Sequence, residues 1–205
     1  MGDFKTRSIV NKIVVGNPAS PARTIDVGLI RGDDQLRAYT AGMADNQLYL
    51  IDTKKGAATP VYDFSPFVVS NFPIWPQLFR INKAGARLFI TLNYVGNAGK
   101  VVQLDISNRT RPKVLGVVDL GLGSGPHYLR LTKDEKRVVV SDYFLVEDLV
   151  PGGVVKDEGD HKIHVINVSD GNITLDPNFN TNFNTDIKTG PARPHGLALL
   201  RAGEL

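Results

Sequence analysis

Hydrophobic positions along this chain fall in short runs separated by polar turns, and they do not follow the three-to-four-residue spacing of an amphipathic helix. The runs are rich in Val, Ile, Leu, Tyr and Phe, which favour strands. Gly, Pro or a dense β-branched run interrupts most windows of ten residues. The pattern therefore predicts strands throughout and no long helix.

The runs repeat. Ile30, Ile81 and Leu131 each end an apolar strand that leads into a polar turn and a second strand, at intervals of 51 and then 50 residues. Each of these pairs is followed by a third strand that ends in a polar turn, and then by a fourth short strand. Four strands in about 50 residues are typical of one blade of a β-propeller.

We therefore predict an all-β fold, a partial β-propeller of about three to four four-stranded blades. The expected blades cover residues 23–64, 75–120 and 127–179, with residues 4–16 and 194–200 as partial blades. Propellers typically have four to eight blades. Either the two ends of the chain complete a fourth blade, or the chain forms about half of a larger ring. In the second case the unpaired faces should drive self-association or pairing with another chain.

Composition narrows the function classes. The 205 residues include 20 Gly and 12 Pro, which suits many turns, and the net charge is only +3 with the basic residues spread out, so we expect no nucleic-acid partner. No window approaches the roughly 20 apolar residues of a membrane span, so we expect a soluble chain. We take it as cytoplasmic by default because no signal peptide is visible. The absence of Cys excludes disulfides, zinc–thiolate sites and a cysteine nucleophile.

Two histidines occupy the same place in successive repeats. His127 and His195 each follow a Pro and precede an apolar strand, so both imidazoles should point toward one mouth of the central channel. Neutral imidazole binds copper and zinc well, which makes the pair a candidate metal site, although a structural or solvent-exposed pair is the alternative. Trp75 is interpreted as the counterpart of His127 in the preceding repeat, either as a channel wall for a small thiol or sulfide or as packing between blades.

Other features carry weaker hypotheses. Residues 144–160 form a long loop with five acidic residues, which we interpret as a solvated lid over the channel mouth because it lacks the spacing of a calcium loop. His164 is expected to be an ordinary strand residue. The glycine-rich stretch before Pro126 is not followed by a helix, which argues against a phosphate loop. No residue stands out as a general base, and the catalytic residues remain unassigned.

In three places the residues resemble the selenium-binding protein / methanethiol oxidase family of seven-bladed propellers. The first is residues 101–108 with 111–114, and the second is Gly125-Pro126-His127 leading into residues 131–137. The third is residues 175–179 followed by residues 190–195. The resemblance covers most of residues 26–199, and the order and spacing of these short motifs carry it.

The resemblance implies copper-dependent oxidation of methanethiol, with copper as the cofactor and His195 matching the family's histidine near the C-terminus. Family members are more than twice as long and continue past this histidine with a glutamate and a cysteine-containing tail, whereas Gly196 follows His195 here. We therefore expect an incomplete copy of the ring. The rival hypothesis is a non-catalytic propeller that presents its loops to a partner protein.

Overall fold

The computed structural model of the chain describes residues 2–3, 5–9, 11–68, 74–94, 98–145, 157–169, 171–190 and 192–200. These residues form strands, turns and a single 3-10 turn at Ser65–Phe67, and they contain no α-helix. The described residues accordingly include no helix with the length and hydropathy needed to cross a membrane. The all-β prediction is confirmed.

The chain forms three antiparallel sheets of the predicted four-strand type, which we call blades 1, 2 and 3. Two short hairpins come first: β1 (Gly2–Asp3) with β2 (Ser8–Ile9), and β3 (Gly16–Asn17) with β4 (Ser20–Pro21). Blade 1 is β5 (Thr24–Leu29), β6 (Arg37–Gly42), β7 (Gln47–Asp52) and β8 (Ala57–Asp63), and blade 2 is β9 (Ile74–Ile81), β10 (Arg87–Tyr94), β11 (Ala98–Asp105) and β12 (Lys113–Leu122). In both blades, neighbours in sequence pair in the sheet.

Blade 3 has the same order with two additions. Its strands are β13 (Pro126–Leu131), β14 (Arg137–Asp142), β17 (Lys162–Ser169) and β18 (Asn172–Leu175). A small hairpin, β15 (Phe144–Leu145) with β16 (Asp157–Glu158), lies between β14 and β17, and β19 (Thr181–Asn182) pairs with the start of β17. The insertion coincides with the long acidic loop of the sequence.

Two hydrophobic cores lie between the blades, and the alternation of side chains along β10 divides its residues between them. Leu88, Ile90 and Leu92 point into the core shared with blade 1, whereas Phe89 points into the core shared with blade 3. Strand β10 is therefore buried on both faces, which explains its continuous apolar run. Each fully buried side chain of this size contributes about 1.5–3 kcal/mol relative to an exposed one.

Polar contacts also connect each blade to the first strand of the next. Asp26 of β5 forms an ion pair with Arg80 of β9 at 3.1 Å and accepts the main-chain N–H of Phe79 at 3.2 Å. Between blades 2 and 3, the hydroxyl of Thr91 donates to the carbonyl of His127 at 3.0 Å. These contacts fix the height of one first strand relative to the next, and the first strands position the candidate site.

The chain ends differ from the strands expected there. Residues 194–200 form no strand, although Arg130 donates to the carbonyl of Leu197 at 3.3 Å, so this segment lies against blade 3. Strand β2 pairs with β1, and within the described part of the chain no strand pair joins the two termini. The outward face of β5 stays exposed: Ile25, Val27 and Leu29 are 46%, 63% and 67% accessible.

Candidate functional site

The first strands of blades 2 and 3 place Gln77 and His127 at equivalent positions. The sheet register pairs Pro76 with Leu92 in blade 2 and Pro126 with Asp142 in blade 3. Leu92 and Asp142 are equivalent positions of the two second strands, so the two prolines are equivalent. The residues that follow them, Gln77 and His127, are therefore counterparts. The expectation that Trp75 corresponds to His127 is therefore wrong, because Trp75 pairs with Asn93 one step earlier in the register. The role of Trp75 as a channel wall stays a prediction.

His127 is fixed by a hydrogen bond to its counterpart. Its Nδ1 lies 2.9 Å from Oε1 of Gln77, a side chain that is almost completely buried. The other end of the Gln77 amide donates to the sulfur of Met43 at 3.7 Å, which orients Oε1 toward the histidine. Since an amide oxygen only accepts, Nδ1 carries the proton and Nε2 keeps its lone pair.

The surroundings of His127 favour the neutral ring. Burial, together with a smaller effect of the neighbouring His195, lowers its pKa to about 4. The imidazole is therefore neutral at physiological pH, which is the form that binds metal ions.

The structure brings His195 together with His127, as the repeat predicts. The two rings stack with centroids 4.9 Å apart and planes 14° from parallel, and the edge of the Tyr143 ring packs against His195 at 4.6 Å. The hydroxyl of Ser141 donates to the His195 carbonyl at 2.7 Å, just as Thr91 holds His127. The His195 side chain is exposed. The lone pairs of two nearly parallel rings do not converge on one point, so a shared ligand would require the exposed His195 ring to turn.

A buried amide without a partner belongs to the same neighbourhood. Asn93 is fully buried, and neither atom of its amide has a hydrogen-bond partner within the described part of the chain. In the register of the three blades, Asn93 corresponds to Met43 and Tyr143, which contact Gln77 and His195 respectively. The repeat thus places Asn93 next to His127. Unsatisfied buried polar groups are rare, and they are frequent at sites that bind ligands.

A second polar cluster lies in blade 3, between β14 and β17. The imidazole Nε2 of His164 lies 3.3 Å from Oδ2 of Asp142 and 3.5 Å from Oδ1 of Asp160. Asp142 is completely buried and His164 almost so. His164 lies in strand β17 as expected, and the structure adds two carboxylates that converge on its ring.

Burial and charge compete in this cluster. Burial alone would lower the pKa of His164, but its hydrogen bonds with Asp142 and Asp160 outweigh burial and raise the pKa to about 9. Burial raises the pKa of Asp142 to about 6. For Asp160, the hydrogen bonds from His164 and Lys162 overcome burial and lower the pKa. The cluster is therefore a charged group inside the blade, unlike the neutral ring of His127.

Sequence reasoning finds the histidine pair and misses Gln77, Tyr143 and the His164 cluster. The shared Pro76 and Pro126 could have identified Gln77. The prediction for the acidic loop can be compared with the structure only in part. Asp160 joins the His164 cluster. Residues 146–156, and with them the predicted lid, lie outside the described residues.

Comparisons with known proteins support the propeller fold. No family model and no curated protein matches the sequence. Among solved structures, a hypothetical selenium-binding protein from Sulfolobus tokodaii has a TM-score of 0.71 at 18% identity over 94% of this chain and 47% of its own. Hydrazine synthase of Kuenenia stuttgartiensis has a TM-score of 0.59 at 20% identity, covering 86% of this chain and 47% of its own. The periplasmic gluconolactonase of Pseudomonas aeruginosa has a TM-score of 0.57 at 12% identity, covering 79% and 40%.

These likenesses bear on architecture. The chain spans less than half the length of each of the three structures. At such identities the similarity extends to the fold alone, and propellers host many unrelated activities. The fold is a partial β-propeller similar to that of a selenium-binding protein and of lactonase-type enzymes.

Proposed function

We propose that this chain carries a copper site of the selenium-binding protein / methanethiol oxidase type, with His127 and His195 as ligands and a small thiol as substrate. The observation that carries the proposal is the hydrogen bond from His127 Nδ1 to Gln77. It leaves Nε2 available as a ligand and fixes the ring, which is how supporting residues commonly orient metal-binding histidines.

The residues present fit a copper ion in three respects. His127 is a neutral imidazole, His195 is a second imidazole beside it, and imidazole is a good copper ligand. The unpartnered amide of Asn93 supplies a buried polar group that a ligand at this place could satisfy. Two imidazoles do not complete a coordination sphere, so further ligands would come from solvent, from substrate or from elsewhere in a complete ring.

The chain's own residues prepare the site for a small thiol. Gln77 holds His127 in one tautomer, Ser141 anchors the main chain at His195, and the ring of Tyr143 covers one edge of His195. Burial of His127 excludes water from one side of the pair and keeps the ring unprotonated. A bound copper ion would supply the one-electron steps between the thiol and dioxygen.

Completion of the ring is part of the proposal. The chain covers 47% of the selenium-binding protein that it resembles in structure, and the outward face of β5 exposes three apolar side chains in a row. Exposed apolar sheet faces favour association, so we propose that another copy or another chain packs against β5. Light scattering at micromolar concentration should show a species larger than the 22.4 kDa monomer, and a stable monomer would contradict this part.

Copper binding tests the proposal directly. Protein stripped of metal and titrated with copper should bind an ion that His127→Ala removes, because the fixed ligand is lost. Gln77→Leu should weaken binding of this ion by about 10–100-fold, since the ring would lose its orienting partner. Oxidation of methanethiol should then depend on the bound copper in the assembled protein.

The matched control is His161→Ala, because this histidine is hydrogen-bonded to Asn184 and lies outside the pair of His127 and His195. It should bind copper like the wild type. An unchanged number of bound copper ions in His127→Ala and His195→Ala, with the protein still folded, would overturn the proposal. The stacking of the two rings favours the second candidate, a non-catalytic scaffold, and metal-free protein that still folds and binds no copper would support it.

A further inference from the structure

We propose that Asp142, Asp160 and His164 form a zinc site inside blade 3, separate from the pair of His127 and His195. One ligand atom from each of the three residues lies within 4.8 Å of the other two. Carboxylate oxygen and imidazole nitrogen are ordinary zinc ligands, and three protein ligands with an open fourth position are a common zinc arrangement.

The distances from the His164 nitrogen to the two carboxylates match a metal site better than a hydrogen-bonded ion pair. Nε2 of His164 is 3.3 Å from Asp142 and 3.5 Å from Asp160. Charge-assisted N–H···O bonds are usually about 2.7–2.9 Å long. Tetrahedral zinc, with bonds of about 2.0–2.2 Å, places neighbouring ligand atoms about 3.3–3.5 Å apart. In addition, a single N–H on Nε2 would have to be shared between the two carboxylates, which makes each hydrogen bond less well aligned.

Groups outside the cluster hold the carboxylates in this orientation. Oδ1 of Asp142 accepts the main-chain N–H of Gly125, which leaves Oδ2 facing the histidine. Oδ2 of Asp160 is paired with the Lys162 ammonium at 2.9 Å, so Oδ1 faces the same atom. Oδ1 of Asp160 also accepts the main-chain N–H of Lys162, at 3.1 Å. Such outer contacts are what orient the ligands in zinc proteins.

The close approach of the two carboxylates depends on Gly159. A Cβ built on this residue would lie 2.7 Å from Oδ1 of Asp142, and its φ of +136° is rarely adopted by residues with a side chain. Glycine at this position therefore lets the main chain deliver Asp160 to the buried Asp142.

The side chains alternate along β14, and this separates the new site from the histidine pair. Val140 and Asp142 point toward blade 2, whereas Ser141 and Tyr143 contact His195 on the other side. His164 lies beside Val140 in the register and so shares the face of Asp142. A zinc ion here would tie β14 and β17 to residue 160, where the long insertion returns to the sheet. We infer a mainly structural role, with one coordination position left open.

Binding to the metal-stripped full chain tests this inference without reference to any activity. Calorimetric titration with zinc should give one site per chain, and cobalt in place of zinc should give the intense visible absorption of tetrahedral coordination. Asp160→Asn, at the more accessible ligand, should weaken zinc binding at least tenfold while the fold, checked by circular dichroism, is kept.

The double variant His127→Ala, His195→Ala is the matched control and should bind zinc like the wild type. Loss of zinc in this control would place the ion at the histidine pair and overturn the inference. Two other results would also overturn it: no zinc bound by folded wild-type protein, or unchanged affinity in Asp160→Asn. Because copper is followed at His127 and zinc at His164, failure of the copper proposal leaves this test intact.

Discussion

His127 and His164 belong to the same blade, and both are largely buried, yet the ring of His127 is neutral and the ring of His164 is positively charged. His127 faces an amide and another imidazole, and burial lowers its pKa to about 4. His164 faces two carboxylates, whose attraction exceeds the cost of burial and raises its pKa to about 9. The difference arises from the neighbouring groups, which are an amide and an imidazole beside His127 and two carboxylates beside His164.

The contrast assigns different tasks to the two places. A neutral ring with a free Nε2 next to an exposed second histidine suits an exchangeable ligand at the inner edge of the propeller. A charged ring held between two aspartates suits a permanent bridge between strands. Each interpretation can be tested by removing one histidine at a time.

Loss of stability should separate the two histidines most clearly. His164→Ala leaves the buried carboxylate of Asp142 without a counter-charge, while Asp160 keeps Lys162, so we expect the metal-free protein to lose about 3–5 kcal/mol of unfolding free energy. His127→Ala removes one neutral hydrogen bond and leaves an amide oxygen unpaired, for an expected loss of about 1–2 kcal/mol. Urea denaturation in EDTA measures both.

A double variant serves as the control for charge. Asp142→Asn combined with His164→Gln replaces the buried ion pair with two neutral amides and should recover part of the stability lost in His164→Ala. Equal losses in the two alanine variants would show that the carboxylates do not depend on His164, and the contrast between the two histidines would fail.

The architecture could be predicted from the sequence because it repeats. Strand alternation and the 50-residue period depend on local patterns, and these patterns give the sheets now observed. The residue-by-residue correspondence between blades cannot be predicted where their turns differ in length. The turn closed by Ile30 and Arg37 is two residues longer than the one closed by Asn82 and Arg87, so Leu29, and not Ile30, corresponds to Ile81.

The candidate site was predictable only in part, for a related reason. The Pro-His pairs mark His127 and His195 locally, and a repeat makes such residues neighbours. Gln77 escapes because glutamine carries no metal signal by itself, and Trp75 two residues earlier is more conspicuous. The His164 cluster joins residues 22 apart on either side of the insertion, and no periodic pattern brings Asp142 and His164 together.

A smaller effect, on the pH dependence of stability, sharpens the comparison in metal-free protein. A histidine whose pKa is raised stabilises the fold below its unfolded pKa of 6.5, and this stability is lost as the pH rises through about 9. One whose pKa is lowered stabilises the fold above 6.5, and this stability is lost as the pH falls through about 4. The two contributions therefore change with pH in opposite directions, each by about 1–3 kcal/mol.

The contribution of each histidine is obtained as the difference in unfolding free energy between the wild type and the variant that lacks it. Between pH 7 and 10, wild type should lose stability relative to His164→Gln, because both aspartates of that cluster are already ionised in this range and only the histidine titrates. Between pH 7 and 4, wild type should lose stability relative to His127→Gln, and titration of Asp142 cancels because it occurs in both proteins. Urea midpoints across pH provide the measurement. Slopes of the same sign for both histidines would mean that their neighbours do not set their charge, and the division of blade 3 into a neutral site and a charged site would have no basis.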